Sequence, residues 1–122
     1  MTILMVAIVS VIFVSCSGDD ENRNENGVSI VGTWRCEFSA QGYSTLTFNS
    51  DGTGRYMEFD HGKWEDDKNF KYVYSNDKLY YTYFSESKER EYTEVYEVVS
   101  LTATKLLIKD FGDLGVSTYI RQ

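Results

Sequence analysis

From Val28 to the carboxy terminus the sequence is a succession of short segments dense in Tyr, Phe, Thr and Val, each closed by Gly, Asn, Asp or Ser. β-Branched and aromatic residues suit a pleated, half-buried surface, and breaks this closely spaced leave room only for strands joined by tight turns. The segments read as strands at 30–38, 43–49, 53–59, 62–65 running into 69–74, 78–84, 90–100, 104–110 and 115–121. Asn49-Ser50-Asp51-Gly52 and Ser75-Asn76-Asp77-Lys78 read as hairpin turns, because Asn, Asp and Gly tolerate the positive backbone angles of a tight reversal. Gly112 and Gly115 flank the last turn.

Side-chain alternation supports strands over helices. Trp34, Cys36 and Phe38 fall on one face and Arg35 and Glu37 on the other. Leu46 and Phe48 alternate with Thr45 and Thr47, and Leu106 and Ile108 with Lys105 and Lys109. In 70–74 and 79–84 both faces carry bulky residues, so pattern does not choose the inward one. Strands with no helix between them and short loops pair with their sequence neighbours. The expectation is an all-β fold, a small antiparallel up-and-down barrel of about eight strands whose closure removes exposed edges. A β-sandwich is the structural competitor.

The chain is 122 residues long, which allows one domain, and it has no proline. Its 12 basic and 19 acidic residues give a formal net charge of −7. A nucleic-acid surface needs clustered bases, and the densest group here, Lys88 and Arg90, is interleaved with Glu86, Glu89 and Glu91. No nucleic-acid partner is expected.

The amino terminus is of a different character. Ile3 to Val14 is an apolar run broken only by Ser10, too short to span a bilayer and of the length of a signal-peptide hydrophobic region. The sequence that closes it, Phe13-Val14-Ser15-Cys16, resembles a bacterial lipobox, in which a small residue precedes a Cys that is lipidated and becomes the first residue of the mature protein. No Lys or Arg precedes Arg23, so either the true start lies upstream or the signal is atypical. Residues 17–27 contain no apolar side chain and read as a flexible tether. The Ser-Gly-Asp-Asp-Glu after Cys16 resembles the acidic export signal of Bacteroidota-type lipoproteins. The expected organisation is a signal peptide over 1–15, a lipidated Cys16 with a disordered acidic tether over 16–27, and the barrel over 28–122. Lipidation of Cys16 leaves Cys36 without a disulfide partner, as a small buried hydrophobe.

Within the barrel, Gly32-Thr33-Trp34 on the first strand, Leu46-Thr47-Phe48 followed by Asp51-Gly52-Thr53-Gly54, and Arg121 near the end of the last strand resemble the lipocalin-like domains of Bacteroidota lipoproteins. The resemblance implies that Trp34 packs across the closed end of the barrel with Arg121 over its face, and that Gly32, Trp34 and Arg121 form the structural signature. It also implies a lipid-anchored protein of the outer membrane or cell surface, tied to the membrane through Cys16.

A barrel of this size is either filled by its own side chains or holds one small ligand. Tyr56, Tyr72, Tyr74, Tyr81, Tyr83, Tyr96 and Tyr119 suit either case, and the volume of so many aromatics weighs towards a mostly filled interior. The ligand-binding candidates are Tyr56, Tyr72, Tyr81, Tyr83 and Tyr96, lining a cavity for a small apolar or amphipathic molecule. The alternative is a filled barrel that acts as a structural or interaction module on another envelope protein. Catalysis has little basis in the sequence. The lone histidine, His61, sits in a turn, and there is no nucleophile motif, no phosphate-cradling glycine loop and no paired-histidine spacing. An enzyme would need an inward Glu94 or Glu97 beside a tyrosine. We therefore expect a monomeric binding protein with no catalytic residue, no metal and no cofactor.

Overall fold

A computed structural model of the chain describes residues 22–110 and 115–122. Eight strands follow one another: β1 (Gly32–Ser39), β2 (Gly42–Phe48), β3 (Thr53–Asp60), β4 (Lys63–Ser75), β5 (Lys78–Ser85), β6 (Arg90–Leu101), β7 (Lys105–Asp110) and β8 (Val116–Arg121). Each pairs antiparallel with its sequence neighbour, and β1 meets β8 through Trp34↔Arg121 and Arg35↔Ile120, so the sheet closes into the expected barrel. The lipobox and Cys16 lie outside the described residues.

The turns form where residue chemistry permits them. Asn76 and Asp77 take φ of 53° and 58° and His61 and Gly62 take 50° and 79°, the left-handed pairs that match the twist of a two-residue hairpin. In the β2–β3 turn, Asp51 Oδ1 accepts from the Thr53 amide at 3.0 Å and its hydroxyl at 2.6 Å, while Gly52 supplies the positive φ.

Alternation then fills one end. Trp34, Phe48, Phe70, Tyr72, Tyr74, Leu79, Val98, Leu101, Leu106 and Ile108 are buried with Ile30 around the turns β2–β3, β4–β5 and β6–β7. The Trp34 indole donates to the Ile30 carbonyl at 2.9 Å, and the Arg121 guanidinium lies over its ring. This end is closed. Gly32, with φ of 139°, makes room there, since a Cβ would stand 2.7 Å from Arg121 Nη1.

Two expectations are corrected, one left open is resolved, and the end of the expected tether is found docked. The segments 62–65 and 69–74 are one continuous 13-residue strand, β4, because the acidic stretch between them pairs across to β3: Arg55 holds Asp67 through Nε–Oδ1 at 2.9 Å and Nη2–Oδ2 at 2.7 Å. Phe38 does not share the buried face of Trp34, because a bulge between Glu37 and Ser39 turns the end of β1 and leaves it 48% exposed at the rim. The undecided faces resolve with Phe70, Tyr72, Tyr74, Leu79, Tyr81 and Tyr83 inward and Val73, Tyr80 and Phe84 outward. Finally, the part of the expected tether from Asn22 to Gly27 is docked. Asn24 Nδ2 donates to the Leu101 carbonyl at 2.8 Å while Asn24 Oδ1 accepts from the amides of Asn26 and Val28, and an isolated bridge joins Arg23 to Ser29.

Candidate functional site

Above the closed end the barrel holds a cavity of about 430 Å³. It arises where β4 and β5 part company: they pair only from Lys71↔Thr82 to Ser75↔Lys78, while the rest of β4 follows β3 and the rest of β5 follows β6. The floor is apolar, made by Leu46, Phe48, Phe70, Leu79 and Ile108, and the walls carry Tyr56, Tyr81, Tyr96 and Tyr119. Towards the open end Asp66, Lys68, Tyr83, Glu94 and Ser117 add polar groups. The aromatic side chains therefore do not fill the interior, contrary to the weight of their volume. They stand around a space, because ring pairs such as Tyr81–Tyr96 at 5.0 Å and Tyr81–Tyr83 at 5.9 Å pack edge to face or tilted along the wall instead of crossing the barrel.

Of the tyrosines named from sequence, Tyr56, Tyr81, Tyr83, Tyr96 and Tyr119 are brought together on the cavity wall. Tyr72 is not. Its strand position places it two residues closer to the β4–β5 turn than Phe70, so it lies beneath the floor, where its hydroxyl bonds the Asn49 carbonyl at 2.7 Å and Asn22 Oδ1 at 3.2 Å. Tyr74 lies deeper still, with its hydroxyl on Asp77 at 3.3 Å. Burial, reinforced by the nearby Asp51 and Asp77 carboxylates respectively, pushes each of these two phenols up to about 12.

Sequence left open whether Glu94 or Glu97 points inward, and the register decides it. Glu94 pairs with Tyr81 and joins the cavity wall, while Glu97 pairs with Lys78 and is exposed. Three phenols converge on Glu94: Tyr81 and Tyr96 donate to Oε1 at 3.0 and 2.9 Å, and Tyr83 to Oε2 at 3.0 Å. The Tyr81 and Tyr96 hydroxyls also meet at 2.8 Å. Partial burial pushes the Glu94 carboxyl up, but the hydrogen bonds from Tyr96, Tyr83 and Tyr81 and the Lys68 charge outweigh it and hold the group below the usual carboxylate range. Glu94 is thus an anion at neutral pH. Tyr81 moves far the other way, raised by burial and by its Tyr96 and Glu94 neighbours.

The remaining polar groups are arranged around this centre. Lys68 Nζ stands 4.9 Å over the Tyr83 ring and 3.7 Å from Asp66 Oδ2. Tyr56 donates to Glu58 Oε1 at 2.8 Å, and burial together with that carboxylate raises its phenol strongly. His61 lies away from the cavity in the β3–β4 turn, its Nδ1 2.8 Å from Asp60 Oδ1. Cys36 is half-buried and free, its thiol pushed up by burial. Among the described residues no group of three His, Cys, Asp or Glu side chains converges on a metal-sized space. The arrangement offers an apolar pocket with one fixed anionic centre and a rim of mixed polarity. Sequence reasoning paired Glu94 or Glu97 with a tyrosine but missed the convergence of three phenols on Glu94, which depends on the β5–β6 register, although the alternation of Glu94 with Tyr96 and of Tyr81 with Tyr83 carries the signal once that register is known.

The sequence profile of the lipocalin-like domain family matches residues 30–108, nearly the whole of β1 to β7. No curated protein and no solved structure matches the chain.

Proposed function

Because the chain belongs to the lipocalin-like domain family, we propose that it is a passive binding protein that takes a small apolar or amphipathic molecule into the barrel. The observation that carries this reading is the cavity of about 430 Å³, which falls within the roughly 300–1,000 Å³ of ordinary ligand pockets. Its apolar floor would remove a ligand's hydrocarbon from water, at about 0.8 kcal/mol per methylene. Phenol hydroxyls and Glu94 would orient the polar end. No bond is made or broken in this role, and no cofactor is required.

The domain is proposed to work as a monomer confined to the outer membrane or cell surface by lipid on Cys16, with more than one acyl chain providing stable attachment. Metabolic labelling with a fatty acid, in wild type and Cys16→Ser, tests the anchor: label lost only in the variant is the expected result, and no label in either rejects it. For the pocket, the fluorescence of neutral N-phenylnaphthylamine is to be compared between wild type and Leu46→Trp. Enhancement is expected in the wild type and should vanish when the indole occupies the floor of a still-folded barrel. Equal signals from the two proteins reject the binding reading.

A further inference from the structure

The cavity wall carries a charge preference as well as a shape. Its three ionisable side chains other than tyrosine are Asp66, Lys68 and Glu94, two acids against one base. Lys68 faces Asp66, whereas the groups that hydrogen-bond Glu94 are phenols, which donate protons without supplying positive charge. Glu94 is therefore held by neutral donors, and the one positive charge that reaches it, Lys68, is shared with Asp66. Around it stand π-faces in contact: the Tyr81 ring centroid lies 5.0 Å from that of Tyr96, 5.9 Å from that of Tyr83 and 5.3 Å from that of Phe70.

An anion set among aromatic rings favours a cation with an apolar surface, which gains from the carboxylate and from the negative ring faces together. The protein's own bases already adopt that geometry. Lys68 lies over Tyr83, and at the rim Arg90 and Lys88 lie 4.7 and 5.8 Å over Tyr92, which stacks on Tyr83. Below the rings the floor is hydrocarbon, which suits a short tail.

We infer that the ligand is an organic ammonium ion with a short apolar tail, its head held between the Glu94 carboxylate and the rings of Tyr81, Tyr83 and Tyr96 and its tail on the floor of Leu46, Phe48 and Leu79. This inference rests on the binding function proposed above. A carboxylate ligand would meet Asp66 and Glu94, and a neutral one would leave the charge unused. Lys68 is the resident competitor for the head position.

The test is isothermal titration of the full chain, held in phosphatidylcholine vesicles, with hexyltrimethylammonium, hexanol and hexanoate, each corrected against protein-free vesicles. The cation should bind roughly tenfold or more tighter than hexanol, with hexanoate weakest. Glu94→Gln should abolish the advantage of the cation while retaining hexanol, and Lys68→Met should tighten hexyltrimethylammonium further. Equal affinity for the three probes overturns the charge preference and leaves the pocket standing, whereas uptake of none of them overturns the binding function too. A cation advantage that survives Glu94→Gln, or falls in Lys68→Met, overturns the assignment of the head position.

Discussion

The Arg121 guanidinium carbon lies 4.1 Å from the centroid of the Trp34 ring, while its three nitrogens donate to the carbonyls of Ala103, Val31 and Ser29 at 2.7, 2.9 and 2.7 Å. One side chain thus ties the β6–β7 turn, the approach to β1 and the last strand into a single closed end. Arg121→Ala should cost about 2–3 kcal/mol, from the lost cation–π contact and three orphaned carbonyls. For a domain of this size that is a fall of roughly 10 °C or more in Tm. Arg121→Lys should recover little, because an ammonium cannot span three fixed acceptors. A thermal melt of the three proteins checks the order, and a lysine variant as stable as wild type would reject the multidentate role.

Glu94 makes stability depend on pH. Its folded-state pKa lies below that of an unperturbed glutamate, so it contributes stability above the unperturbed value and the contribution disappears as pH falls through the depressed folded value. The urea-midpoint difference between wild type and Glu94→Gln should therefore be largest near neutrality and shrink below pH ~4. A difference that stays constant into acid would mean the carboxylate is not held charged by its three phenols.

The buried phenols set the alkaline limit. Tyr72 and Tyr74 are raised to about 12, and Tyr56 and Tyr81 further. Each is protonated when folded, so their stabilisation is complete below the unfolded tyrosine value of about 10 and is lost as pH rises towards the folded values. Phenolate absorbance should rise in two stages, the second coinciding with loss of near-ultraviolet dichroism. A single smooth titration with the fold intact would contradict the packing of these rings.

Asn24 is the latch of the docked segment before β1. Asn24→Ala removes its bond to the Leu101 carbonyl and both side-chain caps on the loop, at a cost of about 1–2 kcal/mol. Because the loss is local, protease nicking within residues 22–27 should speed up much more than global unfolding. Unchanged nicking would show that Ile30 and the Tyr72–Asn22 contact hold the segment without it.

Much of the barrel was legible because its cues are local. Asp51-Gly52 and Asn76-Asp77 announce their turns through backbone preference, and Trp34, Leu46, Phe48, Leu106 and Ile108 announce an inward face by alternating with polar partners. The misreadings share a cause. Asp66 and Asp67 look like loop residues until Lys68 and Arg55 reach them from neighbouring positions, and the tyrosines of β4 and β5 look alike until pairing fixes which end each approaches. Tyr72 and Tyr81 are cross-strand partners, yet one bonds downward to Asn49 and the other upward to Glu94. Local pattern encodes the face of a residue, whereas its height along the axis is a property of the assembled register.

The docking of Asn22 beneath Tyr72 has a directional consequence. Whatever precedes Asn22 joins the molecule at the sealed pole, beside the indole and away from the opening. Any attachment made through the residues before Asn22 would thus reach the folded domain at the base of the cup, at the pole opposite the phenols around Glu94.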